Sequence, residues 1–141
     1  MDVVEKSNLP DDVKANNRRF NLYNTAHAAI AKQDFKTAEA NLVEFQKQAI
    51  AVGNQNLIKL SHQLAGMIAL ANKQYPKAIE ELQQANQQDP YNWFRMGLAH
   101  LGEGSNDMAK ADFQKAAEFF ALNNLNYSFI RAKAMKVAES L

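Results

Sequence analysis

The sequence predicts an all-α domain, a helical-repeat solenoid of about three antiparallel helix pairs followed by a C-terminal capping helix. Three observations carry this. Apolar residues recur at intervals of three and four along most of the chain, the spacing that builds one face of a helix. Glycine and proline number only 5 and 3 in 141 residues, too little backbone punctuation for a turn-rich sheet. The same small residues also return in register from one helix pair to the next, the mark of a repeat architecture.

In chain order, residues 1–10 show no periodicity and are expected as a flexible arm ahead of a single domain spanning 11–141. Asp11 and Asp12 favour a helix N-terminus. One apolar stripe then runs through Phe20, Tyr23, Ala26 and Ile30, and a second through Phe35, Ala38, Leu42, Phe45, Ala49 and Val52, with a break near Gln33–Asp34. Gly53–Asn54 gives a C-cap and turn, closing a first pair at about 11–53. Leu57, Leu60, Leu64, Met67 and Leu70 form the next stripe, which ends at Asn72–Gln74. Tyr75 and Pro76 open a fourth helix, proline being tolerated in a first turn, with Ala78, Leu82 and Ala85 buried. Asp89–Pro90 is expected to stop that helix, giving a second pair at about 54–89. Trp93 to Leu101, a break at Gly102–Ser105, and a helix from Asp107 through Phe113, Ala116 and Phe120 make a third pair at about 91–122. After Asn123–Asn124, residues of about 125–140 form the capping helix, with Tyr127, Ile130, Ala134 and Val137 on one side.

Composition removes several function classes. Sixteen Lys and Arg against fifteen Asp and Glu leave a net charge of +1, so no global field attracts nucleic acid. Cysteine is absent, which removes disulfides, thiolate metal sites and cysteine nucleophiles. No apolar stretch approaches the roughly 18 residues of a membrane span. The chain reads as soluble, placed in the cytoplasm or, after loss of a leader, exported.

The register defines the pairs. Ala26, Gly66 and Gly97 are each followed 12 positions later by Ala38, Ala78 and Ala109, four further on by Leu42, Leu82 and Phe113, and three beyond those by Phe45, Ala85 and Ala116. Small residues are expected where the two helices of a pair cross, and large ones where a pair stacks on the next. Trp93, Met96, Gly97, Ala109, Phe113 and Ala116, with Gly66, Tyr75, Ala78, Leu82, Ala85 and Asp89–Pro90, resemble the tetratricopeptide repeat. Bacterial proteins of that family, often exported and of undefined role, are similar in the stretches QQANQQDPYNWFRMGLAH and LNNLNYSFIRAKA. The first unit departs from the pattern, with Leu22, Thr25 and Ala26 at its landmarks. The resemblance implies a right-handed superhelix whose first helices line a concave groove.

Reading that groove at i, i+4 and i+7 gives Tyr23, His27 and Ile30, then Gln63, Met67 and Leu70, then Phe94, Leu98 and Leu101. Family members that grip a terminal carboxylate resemble one another in Lys and Asn at these sites, so the residues here argue for apolar contact instead. The expected function is a protein-binding adaptor or scaffold that takes a peptide or helix. The alternatives are a homo-oligomer with the groove as its seam and a carrier of a small ligand. No catalytic residue, cofactor or metal is expected: His27, His62 and His100 stand alone on separate helices, without the i+3 or i+4 companion of a helical metal site. His62 and His100 fall on packing faces, whereas His27 faces the groove. Glu80 and Glu81 point about 100° apart and are assigned to the surface. Arg131, Lys133 and Lys136 with Lys110 and Lys115 make the densest basic neighbourhood and read as a solvated face. No phosphate-cradling glycine loop is present, since Gly102 and Gly104 lack a following lysine.

Overall fold

Three helix starts follow the acceptors that the sequence supplies for their orphan N–H groups. The computed structural model describes residues 2–119 and 125–141, which form α1 (Asp2–Glu5), α2 (Asp11–Ala31), α3 (Phe35–Val52), α4 (Gln55–Ala71), α5 (Tyr75–Gln84), α6 (Pro90–Gly102), α7 (Asn106–Glu118) and α8 (Leu125–Ser140). The Asp34 carboxylate accepts from Thr37 N–H at 3.1 Å. Asn54 Oδ1 accepts from Asn56 N–H at 2.9 Å and from Leu57 N–H at 3.3 Å. Asp89 Oδ1 accepts from Tyr91 N–H at 3.0 Å. Each satisfies donors that would otherwise be unpaired in the first turn.

The turns inside the three pairs are copies of one another. Gln33, Lys73 and Gly104 each lie seven positions after the small residue of their unit, and all three are left-handed, with φ of 59°, 59° and 80°. Each donates its N–H to the carbonyl three residues back, at 3.0 to 3.1 Å, and the next N–H reaches the carbonyl five back, at 2.8 to 2.9 Å. Only the third unit has the glycine that this geometry favours. Gly53, with φ 68°, closes α3 as the sequence predicts.

Packing follows the pairs α2–α3, α4–α5 and α6–α7, and each pair leans on the next through α3–α4 and α5–α6. α2, α4, α6 and α8 also touch in succession, so they form one layer and α3, α5 and α7 the other. The right shape for each crossing comes from the small residues. A Cβ on Gly66 would lie 2.6 Å from Leu82 Cγ, and one on Gly97 would lie 2.7 Å from Phe113 Cε1. Leu82 and Phe113 therefore fill the notch made by the glycine of their own pair, whereas Phe45 and Leu64 pack between the first pair and the second, as expected from the sequence. Phe45, Leu64, Leu82 and Phe113 are fully buried, each contributing on the order of 1.5–3 kcal/mol.

Several boundaries differ from the sequence reading. Residues 1–10, expected as a loose arm, contain the turn of α1, held by the Arg18–Glu5 pair at 2.8 Å and by Lys14 Nζ donating to Glu5 O at 3.1 Å. α5 ends at Gln84, so the buried Ala85 is its extended cap. Asp89–Pro90 opens α6 instead of closing α5, because Asp89 caps and Pro90 occupies the first turn. α8 packs on α7 and α6, with Ile130, Ala134 and Ala138 buried. Phe120 and Asn123–Asn124 lie outside the described residues.

Candidate functional site

The α2/α4/α6/α8 layer forms an open groove with a cavity of about 380 Å³. Ile30 of α2 and Met67, Leu70 and Ala71 of α4 form one side; Tyr91, Phe94, Arg95 and Leu98 of α6 form the floor; Phe129, Ile130 and Lys133 of α8 form the far wall. The helical period puts these side chains on one strip of each helix. Phe129 is 71% exposed and Leu98 36%, so two large apolar groups stand open to solvent.

The structure divides the nine residues expected along the groove. Ile30, Met67, Leu70, Phe94 and Leu98 meet at the cavity. Tyr23 lies beyond it, half-buried, with its ring 5.7 Å from that of Phe45 and 6.3 Å from that of His27. His27 is exposed, Gln63 is buried, and Leu101 packs against the core around Phe113. Phe94 is also core: it is 5% exposed, with its ring 5.3 Å from that of Phe113. It supports the groove from beneath more than it reaches into it.

Arg95, Phe129 and Lys133 are groove residues that the i, i+4, i+7 reading omits. One guanidinium nitrogen of Arg95 donates to Asn92 Oδ1 at 3.0 Å, and its Cζ lies 5.7 Å from the centre of the Tyr91 ring. Asn92 is itself fully buried and donates Nδ2 to Asn86 O at 3.0 Å, so it ties the loop before α6 to the orientation of Arg95. That loop is held further by Trp93 Nε1 donating to Gln87 O at 3.0 Å and by Gln87 Nε2 donating to Leu82 O at 2.8 Å. The signal available in the sequence was DPYN, a capped helix start that brings Tyr91, Asn92 and Arg95 onto the first turns of α6.

Electrostatics connect Arg95 to the α2 side. Burial lowers the Arg95 pKa, against the opposing charge of Asp89. Partial desolvation, and then the Arg95 charge, push the His27 imidazole below its ordinary value although much of the residue stays exposed. Burial raises the Tyr23 hydroxyl, with Arg95 opposing. Burial also raises Asp89, opposed by its bond from Tyr91 and by Arg95. Lys133 Nζ lies 5.1 Å from the centre of the Phe94 ring, a cation–π contact at the mouth of the cavity.

The remaining polar groups have structural placements. His62 Nδ1 and Glu81 Oε2 are 2.8 Å apart, both half-buried, so Glu81 joins α5 to α4 and is not a free surface acid. His100 is buried, with its two nitrogens 3.6 Å from Glu103 and Asp112. The basic neighbourhood does not act as one face. Lys133 turns to the groove, Lys115 Nζ lies 4.3 Å from the Trp93 ring centre, and Arg131 Nε donates to Ala117 O at 2.8 Å. Among the described residues no three His, Asp or Glu groups converge to hold a metal ion, and no helix is long and apolar enough to cross a membrane.

Residues 90–120 match the tetratricopeptide repeat family, which covers α6, α7 and the floor of the groove. No curated protein and no solved structure matches the chain significantly.

Proposed function

We propose that this tetratricopeptide repeat protein, a protein-interaction module by family, receives its partner in the groove between α2, α4, α6 and α8. The observation that carries this reading is the cavity itself: it is built from side chains of four helices separated in sequence, and large apolar groups remain uncovered at its mouth. Exposed apolar surface in a concave site favours partner binding, with a few aromatic and aliphatic anchors supplying most of the affinity. Leu98, Met67 and Phe129 are those anchors in this reading, and Phe94 holds the floor in place. The fold acts by shape: the glycine–aromatic crossing of α6 on α7 fixes the floor, and α8, packed on both, supplies the wall.

The test is selection of displayed peptides on the full chain, followed by affinity measurements on variants. Leu98→Asp should weaken the selected binders by tenfold or more, on the order of 1.4 kcal/mol, because it places a charge in an apolar contact. Val43→Asp, on the exposed outer side of α3, should leave them unchanged. Binders indifferent to Leu98→Asp would refute the groove as the partner site.

A further inference from the structure

We propose that the occupant of this groove is an amphipathic α-helix carrying an acidic side chain about one turn from its main apolar anchor. This rests on the groove being the partner site, and two features of its lining specify the rest. The first is the scarcity of backbone partners. Apart from Arg95, Lys133 and the Tyr91 hydroxyl, the groups around the cavity are aliphatic or aromatic side chains. An extended peptide laid there would bury N–H and C=O groups that find few partners, at a cost for each unpaired group. A helix arrives with its backbone hydrogen bonds already made and needs only an apolar stripe.

The second feature is charge. The charged side chains that line the cavity are Arg95 and Lys133, both cations. Arg95 has Asn92 as a neutral acceptor, and no carboxylate forms an ion pair with it among the described residues. Asp89 acts on Arg95 through its charge without forming an ion pair with it, and one of its oxygens accepts the Tyr91 N–H. An occupant that fills the groove strips the remaining water from the partly buried Arg95 and crowds the exposed Lys133 at its mouth, and a cation that loses water without a compensating charge is unfavourable. A helix has no free carbonyls along its sides to replace that water, so a side chain must replace it, and an acidic one both accepts from the two cations and offsets their charge. Phe129 and Lys133 are four residues apart on α8, one turn, so an anchor against Phe129 and a carboxylate toward Lys133 and Arg95 match one turn of the incoming helix.

The experiment uses the full chain and two displayed libraries, both with blocked C-termini. One is an alanine-based helical scaffold of about 18 residues with four positions of one face randomised; the other is an extended scaffold interrupted by proline. Enriched helical binders should carry Asp or Glu one turn from a Leu, Met or Phe, and changing that acid to Gln should weaken binding about tenfold. The Glu-over-Gln preference should shrink in Lys133→Gln and in Arg95→Gln, persist in Arg95→Lys, and fall as salt rises. Equal binding of the Glu and Gln forms, with affinity still lost in Leu98→Asp, overturns the acidic element while the groove reading stands. Enrichment from the proline library alone, or none from either, overturns the helical occupant. Self-association of the chain that Leu98→Asp abolishes makes a second copy the occupant and also overturns the proposal. Enriched binders insensitive to Leu98→Asp and Phe129→Ala remove the groove reading itself.

Discussion

Gly97→Ala places a methyl group where the crossing of α6 on α7 has no room for one. The new Cβ would stand 2.7, 2.8 and 3.0 Å from three carbons of the Phe113 ring, against the roughly 3.5–4.0 Å at which carbon atoms rest. Phe113 is fully buried and shares its core with Phe94, Ala109 and Ala116, so retreat of the ring by roughly 0.7 Å or more must push on groups that are already packed. Overpacking of this kind costs about 1–3 kcal/mol, and a fully buried ring without free space beside it puts Gly97→Ala in the upper part of that range, about 2–3 kcal/mol, while alanine in a helix interior returns about 1 kcal/mol relative to glycine. The net expectation is a loss of about 1–2 kcal/mol, or about 3–6 °C in Tm for a domain of this size. Thermal and urea unfolding by circular dichroism measure it, and Gly97→Ala combined with Phe113→Leu should lose less than the sum of the single changes. A Gly97→Ala protein as stable as the parent, or more stable, would refute the crossing geometry and with it the placement of the groove floor.

Other outcomes follow from the same structure. Lys73→Gly should raise stability by about 0.5–1 kcal/mol, because the left-handed φ of 59° costs a side-chain-bearing residue more than glycine; urea midpoints against the parent check this. Asn92→Ala should cost about 1–3 kcal/mol by unpairing the Asn86 carbonyl and Arg95, and should also blunt any preference for acidic partners, which binding assays on the folded variant would read. Asp89→Ala should lose about 0.5–2 kcal/mol of cap stabilisation while Asp89→Asn retains most of it. The lowered His27 pKa gives a pH effect of defined sign. The unfolded chain takes up the proton first, so this contribution to stability is present above pH about 6.5 and is lost as pH falls through that value toward the folded pKa. His27→Gln should flatten that part of the stability profile, measured by urea unfolding between pH 5 and 8.

The repeat register was legible because small residues leave a fixed spacing: Gly66 to Ala78 and Gly97 to Ala109 placed the crossings correctly. What spacing does not carry is direction, and for that reason Leu82 and Phe113 were expected between pairs although they fill the notch of their own pair. The helix start at Pro90 was missed because a proline after aspartate ends one helix as readily as it opens another. The hydrogen bond from Tyr91 N–H to Asp89 decides between them, and only the folded loop shows it. The groove was readable for Met67, Leu70 and Leu98, whose helical period is unambiguous. Arg95 falls next to Phe94 in a strict period and becomes a groove residue through Asn92. Phe129 and Lys133 belong to a helix read as a cap, which covers the end of the third pair with Ile130 and Ala134 and turns its remaining face to the cavity.

The most direct test of the groove is a methyl-labelled NMR titration of the full chain with a selected peptide. Partner binding between the four helices predicts shifts concentrated at Ile30, Met67, Leu70, Leu98 and Ile130, with Val43, Ile50, Val52 and Met108 unmoved. Shifts confined to that second set would place the partner on another surface and contradict the account.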